Sequence, residues 1–289
     1  MRRHEVTDAQ WQFIEPQLPK STATTGRPPV DARTMINGLM WILRTGAPWR
    51  DLPEEWFGPW QTVYHYRNAW RANGTLDKIL MSLLVRRNHR GRIDWDLWCI
   101  DGSVARAARC AAGACKRSCQ LHPDEPPDHA LGRSRGGFTS KFHLLTDGDG
   151  LPISVQVSPG QRHDSMMFEV VMDGVIAIPQ RRGRPRRRPR RLAGDKGYSY
   201  PRVRRWLRAH GIIGVISQRD DQRANHKGRP LKFDKKAYRR RSVIEQCIGW
   251  LKECRRIGTR FEKLAINFLA MIKLAIIQRY LRLEFSDRA

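Results

Sequence analysis

Four residues near the end of the chain, Tyr238, Arg241, Glu245 and Lys252, stand at offsets of three, four and seven. On a helix of about 3.6 residues per turn they fall within roughly 60° of one face. A phenol, a guanidinium, a carboxylate and an ammonium then point the same way. Val243, Cys247, Trp250 and Leu251, with Ile244 and Ile248 at the edge, are expected to be buried behind them. Such a Glu is either a salt-bridged surface carboxylate or a metal ligand in a site built for phosphates. Asp101 and Asp195 bear on the choice. Each follows a predicted strand in a strongly basic neighbourhood, and three converging carboxylates repel one another unless cations lie between them. Hard oxygen donors at that density select Mg²⁺ or Mn²⁺. Two such ions about 4 Å apart activate a water or hydroxyl and stabilise the leaving oxygen of an in-line phosphoryl displacement. Arg and Lys nearby would clamp the flanking phosphates. Taken singly, each acid could equally be a turn or surface residue paired with a local base; the metal reading rests on all three together.

Those acids need a scaffold. The N-terminal part reads as helical: Thr7 and Gln10 have capping-box spacing, and Asp31 caps a run with Met35, Ile36, Leu39, Met40, Ile42 and Leu43 that Gly46 stops. After a Pro- and Trp-rich connector, Pro59 opens a helix with Val63, Tyr64 and Trp70 inside and His65, Arg67 and Arg71 outside. A third helix covers about 76–87. This predicts a small all-α head over residues 1–90, of helix-turn-helix type, with Arg67 and Arg71 on the DNA-facing side. The connector exceeds that of a standard helix-turn-helix, so a plain helical bundle competes.

From about residue 92 the period changes to two. Residues 94–101 alternate as a strand ending at Asp101, and 102–137 read as a long loop. Residues 138–146 and 151–158 are predicted strands joined by the turn 147–150, followed by a helix over 165–178. A short strand at 192–194 precedes Asp195. A basic helix at 200–210, a buried strand at 211–217, the Tyr238 helix and an apolar helix at 264–283 complete residues 91–289. The order predicts an α/β fold, a mixed sheet flanked by helices.

Charge narrows the partners. The chain of 289 residues carries 54 Lys plus Arg against 28 Asp plus Glu, a formal net charge of +26. That points to a polyanion, most simply nucleic acid. A membrane-surface protein would need a basic amphipathic helix or a lipidation signal, and neither is found. The most apolar segment, 264–283, is interrupted by Asn267, Lys273, Gln278, Arg279 and Arg282, and so reads as a core helix and not a membrane span. The start of the sequence lacks the apolar core of a signal peptide, and six cysteines are read as reduced thiols. The expectation is a cytoplasmic, nucleoid-associated protein with no membrane attachment and no small-molecule cofactor.

The spacing met by Tyr238, Arg241, Glu245 and Lys252 resembles the C-terminal signature of bacterial insertion-sequence transposases of the Asp-Asp-Glu type, in the group containing insertion sequences four and five. CIDGS around Asp101, AGDKGY around Asp195, ALGRSRGGFTSKFHLLTDGDGLP, and PGQRHDS around His163 also resemble that group. GAPWRDLP and FGPWQTVYHYRNAW resemble its helical head. The resemblance implies a ribonuclease-H-like catalytic domain, with Asp101, Asp195 and Glu245 as metal-binding catalytic residues. It implies that Tyr238, Arg241 and Lys252 contact the backbone of the transposon-end DNA and that Lys196 and Tyr198 accompany the second Asp. It further implies Mg²⁺-dependent cleavage, strand transfer to target DNA, and a homodimer on DNA. Only residues 196–244 separate Asp195 from Glu245, so there is no room for the long β-rich insertion of some larger relatives.

Other signals rank lower. Arg133, Arg135 and Lys141 are expected to line the DNA channel. The run at 181–191, eight of eleven Arg, is expected near the active face, holding DNA through phosphates. Cys110, Cys115, Cys119 and His122 match no common zinc pattern. His143 and the His163–Asp164 pair are read as satisfied or phosphate-contacting, since two-metal phosphoryl transfer rarely needs a His base. A stand-alone nuclease of the same fold and a non-catalytic DNA-binding derivative remain the rival readings.

Overall fold

The computed structural model describes residues 4–20, 30–114, 122–134, 136–224 and 233–285. Helix α1 (Asp8–Ile14) begins with the expected capping box. The Thr7 hydroxyl accepts from the Gln10 amide, and the Gln10 side chain accepts from the Thr7 amide. Asp31 caps α2 (Ala32–Thr45), which ends where Gly46 turns left-handed at φ 69°. Helices α3 (Trp60–Ala72) and α4 (Thr75–His89) complete the head.

The sheet is built around β1 (Leu97–Ala107). Next in the chain come β2 (Gly132–Ser134), β3 (Gly137–Asp147), β4 (Pro152–Pro159), α5 (Asp164–Asp173), β5 (Arg191–Gly194), α6 (Pro201–Ala209) and β6 (Ile213–Ile216). They are followed by α7 (Ser242–Lys252), β7 (Thr259–Arg260) and α8 (Ala265–Glu284). β3 runs antiparallel to β1 on one side and to β4 and β2 on the other. β5 lies parallel to β1, and β6 parallel to β5. The result is the expected ribonuclease-H-like mixed sheet, in spatial order β4-β3-β1-β5-β6.

Two sequence boundaries move. β1 does not stop at Asp101; it continues six residues further, because Gly102 to Arg106 stay paired with β3 and residues 106–107 pair with β7. Backbone pairing sustains the strand where side-chain alternation fades. The helix expected over 165–178 ends at Asp173, and Ile178 forms an isolated antiparallel bridge with Arg186.

Helix α8 holds the head to the sheet. Helices α2 and α4 pack on it from one side and β4 from another, and one apolar core runs through both parts. Its N-terminus is capped by the buried Glu125, which accepts from the amides of Ala265 (2.7 Å) and Ile266 (3.0 Å). Arg260, with no exposed surface, donates to the carbonyls of Ala130, Glu262 and Lys263 and to the Ser140 hydroxyl. At the far end Glu284 takes Arg87 at 3.0 Å and Arg90 at 2.9 Å.

The head corrects one expectation. Arg67 does not face outward: it is 2% exposed, with its guanidinium 4.5 Å from the Tyr64 ring and 5.3 Å from the Trp49 ring. Trp49, contributed by the connector, covers a position that helical periodicity alone assigns to solvent. Arg71 is half-buried, its Nε enclosed without a partner among the described residues. No helix among the described residues is long and apolar enough to cross a membrane.

Candidate active site

Asp101 lies midway along β1 and Asp195 one position past the end of β5. Ile100 pairs with Gly194 in the parallel register, so the next step on each strand sets the two aspartates side by side, about 4.8 Å apart across the sheet. Asp195 caps a short 3-10 turn, accepting from the Gly197 amide at 2.8 Å. Helix α7 brings the third acid. Arg241 donates through Nη1 to Asp101 Oδ2 at 3.0 Å and through Nη2 to Glu245 Oε1, so one guanidinium bridges an acid on the sheet and an acid on the helix. The Asp101 side chain is 20% exposed and that of Glu245 55%.

The expected helical face survives with one change. Tyr238 sits on a separate turn (Lys235–Arg239), and the bonds through the junction, Tyr238 to Arg241 and Arg241 to Ile244, are of the tighter i to i+3 type. Tyr238 and Arg241 therefore stay on one side, with the guanidinium 5.8 Å from the phenol ring. Ile244, Cys247, Ile248 and Leu251 form the buried face, while Val243 and Trp250 are only half-buried. Lys252 is partly enclosed, and burial lowers its ammonium below the ordinary lysine value.

A fourth carboxylate, Asp164, joins these groups from the start of α5. It pairs with Lys141 at 3.2 Å, lies 3.4 Å from Nδ1 of the buried His143, and rests directly over Gly102, where a methyl group would overlap it. His143 is in turn hydrogen-bonded to Ser158 at 2.8 Å, and burial pushes its imidazole down to about 4, so it is neutral near pH 7. Sequence reasoning saw Asp164 only as the companion of His163. The available signal was Gly102 itself, since a glycine inside a strand marks a close approach. Burial raises the Asp101 carboxyl to about 6, and Asp195 and Asp164 push the same way against Arg241.

Among the described residues, no three of His, Cys, Asp and Glu are placed to hold a metal ion as they stand, and the guanidinium bridges two of the acids instead. The donors are nevertheless of the kind a hard divalent ion takes: carboxylate oxygens alone, around an acid whose ionisation is suppressed by burial and by like charges.

The remaining candidates are divided. Lys196 is exposed beside Asp195 and pairs with Asp220 at 3.5 Å. Tyr198 is 1% exposed, which removes it from any DNA surface. Its hydroxyl is enclosed without a partner among the described residues, and burial together with Asp164, Asp101 and Asp195 pushes the phenol well above its ordinary value. Arg133 is exposed and stacks 5.1 Å from Phe138 at the β2–β3 hairpin. Lys141 is engaged by Asp164 and not free in a channel. Arg135, Cys115 and Cys119 lie outside the described residues.

The arginine run is not at the active face. β5 carries the chain away from it, so the run packs where β1 and β5 begin, and the acids lie toward the other end. Arg186 stacks 4.4 Å from Trp95, and the amides of Arg190 and Arg191 donate to the carbonyls of Trp95 and Asp96.

Comparison with known proteins agrees with this architecture. The head, residues 6–80, matches the description "Putative transposase of IS4/5 family", and residues 96–278 match "Transposase DDE domain". The chain is 33% identical over 142 residues to a putative transposase for insertion sequence element IS402 from Burkholderia cepacia, covering 49% of this chain and 62% of that protein, less than two thirds of its length. It is 33% identical over 112 residues to an uncharacterized 16.2 kDa protein of the same element, covering 37% of this chain and 76% of that one. A putative transposase for element IS6501 from Brucella ovis is 25% identical over 149 residues, half of this chain and the whole of that protein. With the transposase domain matched over more than half of this chain, on a fold that sets Asp101 of β1 beside Asp195 just past β5, the chain belongs to the DDE transposase family.

Proposed function

We propose that this protein is a DNA transposase that binds the terminal inverted repeats of an insertion sequence, cuts at the element ends and transfers them to target DNA. The observation that carries this reading is that Asp101 on β1 and Asp195 just past the end of the neighbouring parallel β5 lie side by side, with Glu245 tied to Asp101 through Arg241. The family uses divalent metal ions, and we assign Mg²⁺, with Mn²⁺ as a substitute, to Asp101, Asp195 and Glu245. Bound there, the metal supplies activation of the attacking hydroxyl and charge relief at the leaving oxygen. Arg241, exchanged from the acids, presents a planar fork suited to a backbone phosphate. Tyr238, Lys252 and Lys196 flank the same side, and Arg133, with Arg135 beyond the described residues, extends the basic surface along the hairpin. Lys141 and His143 keep Asp164 over Gly102 and so position the acid-bearing middle of β1.

The head at 1–90 contributes DNA contacts and residues 91–289 the chemistry, with two protomers pairing two ends in the bacterial cytoplasm at the nucleoid. The test is purified protein with a plasmid carrying both element ends. Mg²⁺-dependent joining of ends to target is expected, with none from Asp101→Asn. Cutting without joining would favour the nuclease reading, and binding with neither would favour the non-catalytic derivative.

A further inference from the structure

Eleven residues of the chain, 181–191, hold eight arginines, and the fold divides them into two sets. One set is anchored. Arg186 stacks on Trp95 at 4.4 Å and closes a backbone bridge with Ile178 (2.7 and 2.9 Å); Arg187 donates to the Asp173 carbonyl at 3.0 Å. Arg190 and Arg191 pair with Asp96, and Arg191 also with Asp234 at 2.9 Å. The other set is free. Arg181, Arg182, Arg184 and Arg188 are exposed and have no hydrogen bond or ion pair among the described residues. Three of them surround a turn at Gly183, φ 88°, held on the Ile178–Arg186 stem.

The loop is also fastened to the head. Asn88 donates to the Pro179 carbonyl at 3.0 Å and accepts from the Trp95 indole at 2.9 Å, which brings the exposed His89 and Arg92 at the end of α4 onto the same surface. Trp95, in the bend before β1, and Asp101 are six residues apart, at most about 20 Å at 3.3 Å per residue. That is roughly six base pairs of duplex, so phosphates at this surface are not those at the scissile bond.

We infer that the turn carrying Arg181, Arg182, Arg184 and Arg188, with the end of α4, is a second binding surface for double-stranded DNA, separate from the acid site. It grips phosphates without reading sequence. This rests on the DNA transposase reading and adds to it where a distant duplex segment lies. The charge is uncompensated, the loop is pinned so that little order has to be gained on binding, and the partner chemistry is that of a polyanion. The duplex is either a distal part of the element end or the target, which offer the same phosphates.

The test replaces Arg181, Arg182, Arg184 and Arg188 together by Ala, with a parallel Arg→Lys set at the same positions. DNA affinity is measured against salt for an element-end duplex, and separately for capture of an unrelated duplex by the protein–end complex. The Ala set is expected to lower the magnitude of the slope of log affinity on log salt by about 3.6 in one of the two assays, at about 0.9 for each of four phosphate contacts, while the Lys set keeps it. Loss in the first assay assigns the surface to the element end; loss in the second assigns it to target. Nicking by saturating protein is expected to stay within about twofold of wild type. Unchanged slopes in both assays, with wild type binding normally, overturn the proposal. So does a nicking rate that falls at saturation, because the run would then belong to the active face. If wild-type protein binds neither duplex, the DNA reading itself fails and this surface with it.

Discussion

The two ends of the segment from Trp95 to Asp101 make opposite use of arginine. Around Asp101, acids are in excess: Asp195 and Asp164 push against its half-buried carboxylate, and Glu245 shares Arg241 with it. Around Trp95, bases are in excess: Asp96 takes Arg190 and Arg191, Asp94 takes Arg240 at 2.6 Å, and four further arginines face solvent unpaired among the described residues. An end with surplus negative charge is completed by a cation, and an end with surplus positive charge by phosphates. The strand direction separates them, which keeps the basic loop from neutralising the acids that the chemistry needs.

The contrast can be broken most decisively at the acid end. Asp101→Asn is expected to reduce strand joining at least about 10³-fold while leaving thermal stability equal or higher, since it removes a half-buried charge crowded by like charges. A joining assay paired with a melting curve checks both halves. Arg67→Ala separates buried from displayed arginine. Emptying the space against Tyr64 and Trp49 is expected to cost about 2–4 kcal/mol in denaturant unfolding, with the DNA affinity of the folded protein unchanged. A lost affinity at full folding would return Arg67 to the DNA surface. Gly102→Ala, which presses a methyl group into the Asp164 carboxylate, is expected to lose about 1–3 kcal/mol and to slow joining; equal activity would show that Asp164 can move without consequence.

The smallest effect tests burial without function. Asp147 accepts from the amides of Asp149 (3.1 Å) and Leu151 (2.9 Å) at the β3–β4 turn, and burial raises its carboxyl from 3.8 to about 6. Between those values the folded chain keeps a proton that the unfolded chain has lost. Its contribution to stability is therefore full below about pH 4 and lost as pH rises through 6. Asp147→Asn keeps the accepting oxygen and is expected to gain about 1–2 kcal/mol at pH 7.5 and nothing near pH 4, read from unfolding at both. A gain that is the same at both pH values would mean that the carboxyl is not perturbed.

Local chemistry carried most of the helix starts and the two aspartates at the sheet. Thr7, Asp31 and Pro59 begin helices for reasons contained within four residues, and Asp195 follows a strand that its own side chains declare. What escaped was decided across the chain. Arg67 is covered by Trp49, eighteen positions away; β1 runs past Asp101 because β3 and β7 complete its ladder; and Asp164 joins the site only once α5 has folded over Gly102. The arginine run lies away from the acids for a related reason. Nearness to Asp195 along the chain ignores that an extended strand carries its two ends apart.

The position of α8 has a consequence for how the protein is made. Apolar faces of α2 and α4 pack on a helix that follows every main strand of the sheet in the chain, and that helix takes its cap from Glu125. Chains released before Ala265 would leave those faces bare, open to aggregation and proteolysis. The packing of the head is thus completed only after Asp101, Asp195 and Glu245 have been made. A chain truncated ahead of α8 is expected to be cleared by proteases before it accumulates.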